Sequence, residues 1–126
     1  MSEVIFATSF DDKYSPSNIL NNSPTQFWTS TGLYPQELFI SLDKESQINA
    51  VNIVSYNIKK ILVETCENDS AVNYVRQSEQ SEVPQKDGKL QDFSLNFNQA
   101  KNVKIVKITI ADGYDEYCSI NRIQFK

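Results

Sequence analysis

The sequence predicts an all-β fold, an antiparallel β-sandwich of about eight strands with jelly-roll connections. Three observations predict it. Eight short runs of β-forming residues are separated by turn-rich stretches, the spacing expected of a sandwich. No stretch keeps the 3.6-residue apolar period of a surface helix. Only three glycines occur, so tight hairpins are few and longer crossovers between sheets are expected. The 126 residues suit one domain that buries its own core.

Residues 4–9 read as a first strand, rich in β-formers. Asp11 to Pro16 form a loop, and residues 17–20 suit one helical turn. The next stretch organises the chain. A polar loop around Pro24 delivers Phe27 and Trp28, the only tryptophan, just before a strand at 38–42. Such a bulky pair reads as a plug for one end of the sandwich. A sugar-stacking role for Trp28 is the weaker alternative. Residues 43–46, Asp-Lys-Glu-Ser, read as a charged turn. Strands follow at 48–56 and 59–67, the latter with Ile61, Val63 and Thr65 on one face. A less regular strand is expected at 72–76. Residues 77–89, polar and holding Pro84 and Gly88, are the longest loop expected and should be mobile. In 90–97, Phe93, Leu95 and Phe97 alternate with Asp92, Ser94 and Asn96. In 102–111, Val106, Ile108 and Ile110 share a face. An acidic turn at 112–116 leads to the last strand, 119–126, with Ile123 and Phe125 inward.

Composition excludes several functions. Sixteen acids against twelve bases give a net charge of −4, so neither nucleic acid nor an anionic membrane surface is an expected partner. No apolar run is long enough for a signal peptide or a membrane span. A cytosolic chain is therefore expected, with Cys66 and Cys118 as free, buried thiols. Histidine is absent, which removes the commonest general base and metal ligand. The cysteines lack paired zinc spacing, and no glycine-rich phosphate loop occurs. Carboxylate-only glycoside hydrolysis needs only acids, but the acidic clusters read as solvated turns. Enzyme activity is not expected. Leu33, Tyr34 and Pro35 are apolar residues in a turn-rich segment. Either they fold back on the core or they form an exposed anchor for a partner.

At these residues a family resemblance emerges. The elements that carry it are Ala7-Thr-Ser, Asn18-Ile-Leu, Pro24-x-x-Phe-Trp-Thr and the run from Thr31-Gly through Pro35-Gln-Glu-Leu-Phe-Ile40. Together they resemble the intraflagellar transport protein 25 family, strongly over residues 4–40 and as strand pattern beyond. The Phe-Trp element alone is shared with discoidin-like, galactose-binding-like jelly rolls. The resemblance implies a non-catalytic subunit of the anterograde transport complex in the cytoplasm and cilium or flagellum. Its implied partners are a Rab-like small GTPase, intraflagellar transport protein 27, and other subunits of that complex. Partner binding is expected through Thr29, Thr31, Gly32, Leu33, Tyr34, Pro35 and Gln36. Family members can bind calcium at positions matching Asn18, Asn21, Ser23 and Gln26. This chain has no carboxylate there, with Asn21 and Gln26 where the family usually has Asp and Thr, so calcium binding is expected to be weak or absent. A carbohydrate- or ligand-binding module is the alternative function. A self-assembling, chaperone-like protein is a third reading, and it predicts large oligomers.

Overall fold

The structure is a computed structural model and describes residues 2–21, 25–68, 73–85 and 88–126. Ser23, Val72 and part of the expected 77–89 loop lie outside the described residues. Seven strands are present among those described: β1 Glu3–Ala7, β2 Trp28–Thr29, β3 Gln36–Tyr56, β4 Ile58–Cys66, β5 Val75–Gln80, β6 Gln91–Gly113 and β7 Ser119–Phe125. Hydrogen bonds run in the order β2-β7-β3-β6-β4-β5, with β1 on β3. Every pairing is antiparallel.

The two long strands turn this ribbon into a sandwich. The first part of β3 pairs with β1 and with the second part of β6, which also pairs with β4. The second part of β3 pairs with the first part of β6 and with β7. Between the parts, register shifts at Ser41/Ser46 and Ile48/Ala50 bend both strands together, as bulges do. Leu38 faces Ile108, and Ile108 faces Val63. Those three, Ile40, Val51, Ile53 and Val106 are fully buried in one shared core.

The all-β sandwich is as expected, but three boundaries differ. Residues 43–46 are not a turn. β3 runs through them with Asp43, Lys44 and Glu45 exposed, while the Lys104 ammonium reaches across to the Leu42 and Asp43 carbonyls. The charges mark a kink in a paired strand. The expected 102–111 strand likewise joins 90–97 as β6. The strand expected at 72–76 lies later, at Val75–Gln80. Its polar run belongs to a sheet edge, where little is buried and alternation is weak. The described part of the expected mobile loop is anchored. Val83 is buried and donates its N–H to the Lys59 carbonyl (2.9 Å).

The helical turn appears as a 3₁₀ turn at Pro16–Leu20, capped by the Ser15 hydroxyl, and a second one occupies Asp12–Tyr14. Phe93, Leu95 and Phe97 do face the core. Cys66 and Cys118 are buried thiols, neither of them in a disulfide.

Candidate functional site

Trp28 fixes the geometry of this end of the sandwich. It is fully buried, pairs in register with Ile120, and donates its indole N–H to the Ser9 carbonyl at 3.1 Å. Phe27 stays half-buried and stacks on Tyr14, with ring centroids 4.8 Å apart. The chain is then sewn to residue 118. The Ser30 N–H donates to the Cys118 carbonyl, the Ser30 hydroxyl accepts from the Cys118 N–H (both 2.9 Å), and the Thr29 hydroxyl donates to the same carbonyl at 3.2 Å.

Two buried polar residues brace the turn that follows. The Ser9 hydroxyl accepts from the Thr31 N–H (2.9 Å) and donates to the Gln36 side-chain oxygen. The Gln36 amide N–H donates to the Leu33 carbonyl at 2.7 Å. With its base held in this way, the turn projects Leu33, which is 87% exposed.

The expected partner residues therefore divide. Thr31, Gly32, Leu33 and Pro35 are exposed. Tyr34 is half-buried and donates its hydroxyl to the Asp115 carbonyl at 2.9 Å. Gln36 is buried and Thr29 is bonded inward, and both shape the loop. Within residues 33–35, Leu33 and Pro35 stand out while Tyr34 folds back.

A cleft of about 890 Å³ opens between residues 30–34 and 112–117. The second wall reads in sequence as a solvated acidic turn. The signal for its role is Tyr114 and Tyr117 among the acids, aromatic area at a place where solvent alone needs none. Tyr34 lies against Gly113, and an alanine there would overlap the Tyr34 phenol and come within 2.8 Å of the Asn57 carbonyl oxygen. Gly113→Ala is expected to cost about 1–3 kcal/mol and to expel Tyr34, measured by thermal unfolding and by the loss of tyrosine chemical-shift dispersion.

Burial, then the proximity of Cys118, Asp112 and Asp115, holds the Tyr34 hydroxyl well above the ordinary tyrosine pKa. Burial also raises the Cys118 thiol, partly offset by hydrogen bonds from Ser30 and Tyr34. The unfolded chain releases the Tyr34 proton first, at a pH of about 10. Stability from this group is complete below that pH and is lost as pH rises above it. In an ultraviolet titration Tyr34 should ionise well above the ordinary tyrosine range. Tyr34→Phe should remove that step and flatten the alkaline loss of stability.

Comparison with known proteins adds the family. No family model matches the chain. Intraflagellar transport protein 25 homolog of Homo sapiens is 30% identical over 122 residues, covering 97% of this chain and 83% of that protein. The chain belongs to the intraflagellar transport protein 25 family. Intraflagellar transport protein 25 of Chlamydomonas reinhardtii is 27% identical over 120 residues, covering 95% of this chain and 62% of the algal protein.

Solved structures agree on the fold. CpGH89CBM32-5 from Clostridium perfringens, in complex with GalNAc-β-1,3-galactose, superposes with a TM-score of 0.84 at 18% identity, covering 98% of this chain and 94% of that one. A chitosan-binding module from a chitosanase/glucanase of Paenibacillus sp. IK-5 gives 0.80 at 17% identity, covering 100% and 93%. The fold is the galactose-binding-like jelly roll that the Phe-Trp element implies.

Of the calcium positions that the resemblance implies, Asn18, Asn21 and Gln26 are among the described residues and supply no carboxylate for an ion, while Ser23 lies outside them. The Asn18 amide N–H donates to the Phe27 carbonyl at 3.1 Å, and the Asn21 amide N–H donates to the Gln26 side-chain oxygen at 3.3 Å. Both amide N–H groups are thus engaged by neighbouring oxygens. No carboxylate accompanies them in residues 18–26, and calcium sites are built from oxygens with carboxylates among them.

Proposed function

We propose that this chain is a non-catalytic subunit of the anterograde intraflagellar transport complex, acting in the cytoplasm and the cilium or flagellum. It pairs with a Rab-like small GTPase, intraflagellar transport protein 27, and contributes to ciliary cargo transport. The observation that carries this reading is the 30% identity to the human protein across 97% of the chain. The braced turn at residues 31–35 supports it physically. A rigid loop with one protruding leucine loses little conformational freedom on docking, and a central apolar anchor suits an interface hot spot.

The test is co-expression with the Rab-like GTPase of the same cell, followed by size-exclusion chromatography with light scattering. A stable one-to-one complex is expected. Leu33→Asp should weaken it by roughly ten- to thirtyfold, without unfolding the chain, because Leu33 is exposed. Separate elution of the two proteins would remove the GTPase reading, and unchanged affinity of the variant would remove residues 31–35 as the contact.

The alternative is a carbohydrate-binding module. The cleft favours it specifically, by setting Tyr114 and Tyr117 beside carboxylates. A glycan array reads this directly, and an array without hits sets it aside.

A further inference from the structure

We infer that the cleft between residues 30–34 and 112–117 docks a cationic peptide segment, one carrying lysine or arginine beside an apolar side chain. The inference builds on the reading of this end of the sandwich as a partner surface. It does not require the GTPase to be that partner.

Charge and shape together point to such a segment. Asp112, Asp115 and Glu116 line the cleft and are exposed, and no lysine or arginine lines it. No ion pair involves these three carboxylates among the described residues. A concave wall of one sign concentrates its field on an entering counter-charge. Tyr114 and Tyr117 are 38% and 47% exposed, and aromatic faces accept guanidinium and ammonium groups. The Lys59 ammonium already lies 5.9 Å from the Tyr114 ring centroid. Leu33, across the cleft, supplies an aliphatic contact that a bare cation or a sugar hydroxyl would leave unused.

Size argues in the same direction. About 890 Å³ accommodates several side chains and far exceeds one ion. Two of the carboxylates are also partly engaged: Asp112 accepts from the Gly113 N–H (2.8 Å) and Asp115 from the Glu116 N–H (2.7 Å). They are held as fixed charges on the rim. Asparagine keeps a side-chain oxygen to accept each of those two backbone N–H groups, so neutralisation can leave the loop intact.

The experiment is a two-dimensional NMR titration of the whole chain with eight-residue peptides. One probe carries leucine flanked by lysine and arginine, a second replaces the basic residues with glutamate, and a third is galactose. The basic peptide should shift the Leu33 and Tyr117 amide signals saturably, and the glutamate peptide should bind at least tenfold more weakly. The triple variant Asp112→Asn, Asp115→Asn, Glu116→Gln should lose about tenfold in affinity for the basic peptide, and raised salt should weaken the wild type. No saturable shift at those signals, equal binding of the glutamate peptide, or shifts with galactose alone would overturn the inference.

The co-expression result is read separately. Peptide binding without a GTPase complex removes the GTPase reading and leaves this inference standing. A GTPase complex without peptide binding does the reverse.

Discussion

Trp28→Ala is expected to lower the free energy of unfolding by about 3–5 kcal/mol, against a total of about 5–15 kcal/mol for a domain of ordinary stability. Three losses combine. The indole is fully buried in the common core, so its removal leaves a cavity that the flanking strands close only partly. Its N–H no longer meets the Ser9 carbonyl, and a buried acceptor left alone costs about 1–3 kcal/mol. β2 is only two residues long and pairs with β7 through Trp28 and Thr29, so it has little else to hold it. Trp28→Phe should fall between wild type and alanine, since it refills much of the volume but leaves Ser9 unpaired. Denaturant unfolding followed by circular dichroism measures both, since the only tryptophan fluorophore is lost. A change below about 1 kcal/mol for the alanine variant would mean that Trp28 does not plug the core.

That role of Trp28 was legible because a lone tryptophan beside phenylalanine, just ahead of an alternating strand, has few other places to go. Alternation likewise revealed the inner faces around Val63, Leu95 and Ile108, most cleanly around Leu95, where Asp92, Ser94 and Asn96 are exposed. What stayed hidden has physical reasons. The kink at Asp43 to Ser46 looks like a turn because exposed charges suit both a turn and a bulged strand, and only pairing to Val103 distinguishes them. The Val75–Gln80 strand is polar because it forms an edge. β2 is too short to carry a period. The acidic turn at 112–116 became half of the candidate site only through a contact between residues far apart in sequence, Tyr34 with Asp115, and no local pattern encodes such a contact. The same limit applies to Ser9 and Gln36. Both look like surface polar residues, yet buried together they set the shape of the turn that carries Leu33.

Gln91 is the clearest residue of this hidden kind, and Gln91→Leu is expected to cost about 2–6 kcal/mol, the sum for two orphaned backbone groups at about 1–3 each. The chain reverses sharply between β3 and β4 at Asn57, which adopts a left-handed φ of 66°. Ile58, the first residue of β4, lies opposite Gly113 of β6, and its own N–H and C=O are met by the Gln91 side chain. Its Nε2 donates to the Ile58 carbonyl at 2.8 Å, while its Oε1 accepts from the Ile58 N–H and the Ser55 hydroxyl, each at 3.0 Å. The amide thus reproduces the donor–acceptor pair that a neighbouring strand would present. Leucine fills the space and satisfies neither group, so volume is nearly conserved and the loss isolates the hydrogen bonds. Hydrogen exchange offers the sharper reading, since the Ile58 amide should lose protection by more than the global destabilisation alone predicts. A variant as stable as wild type, with Ile58 still protected, would show that water or a shifted backbone replaces the glutamine. Lost protection confined to residues 56–59 would show that Gln91 holds this reversal. Because the Asn57 carbonyl also accepts the Tyr114 N–H at 3.0 Å, loosening it should carry through to the wall of the cleft.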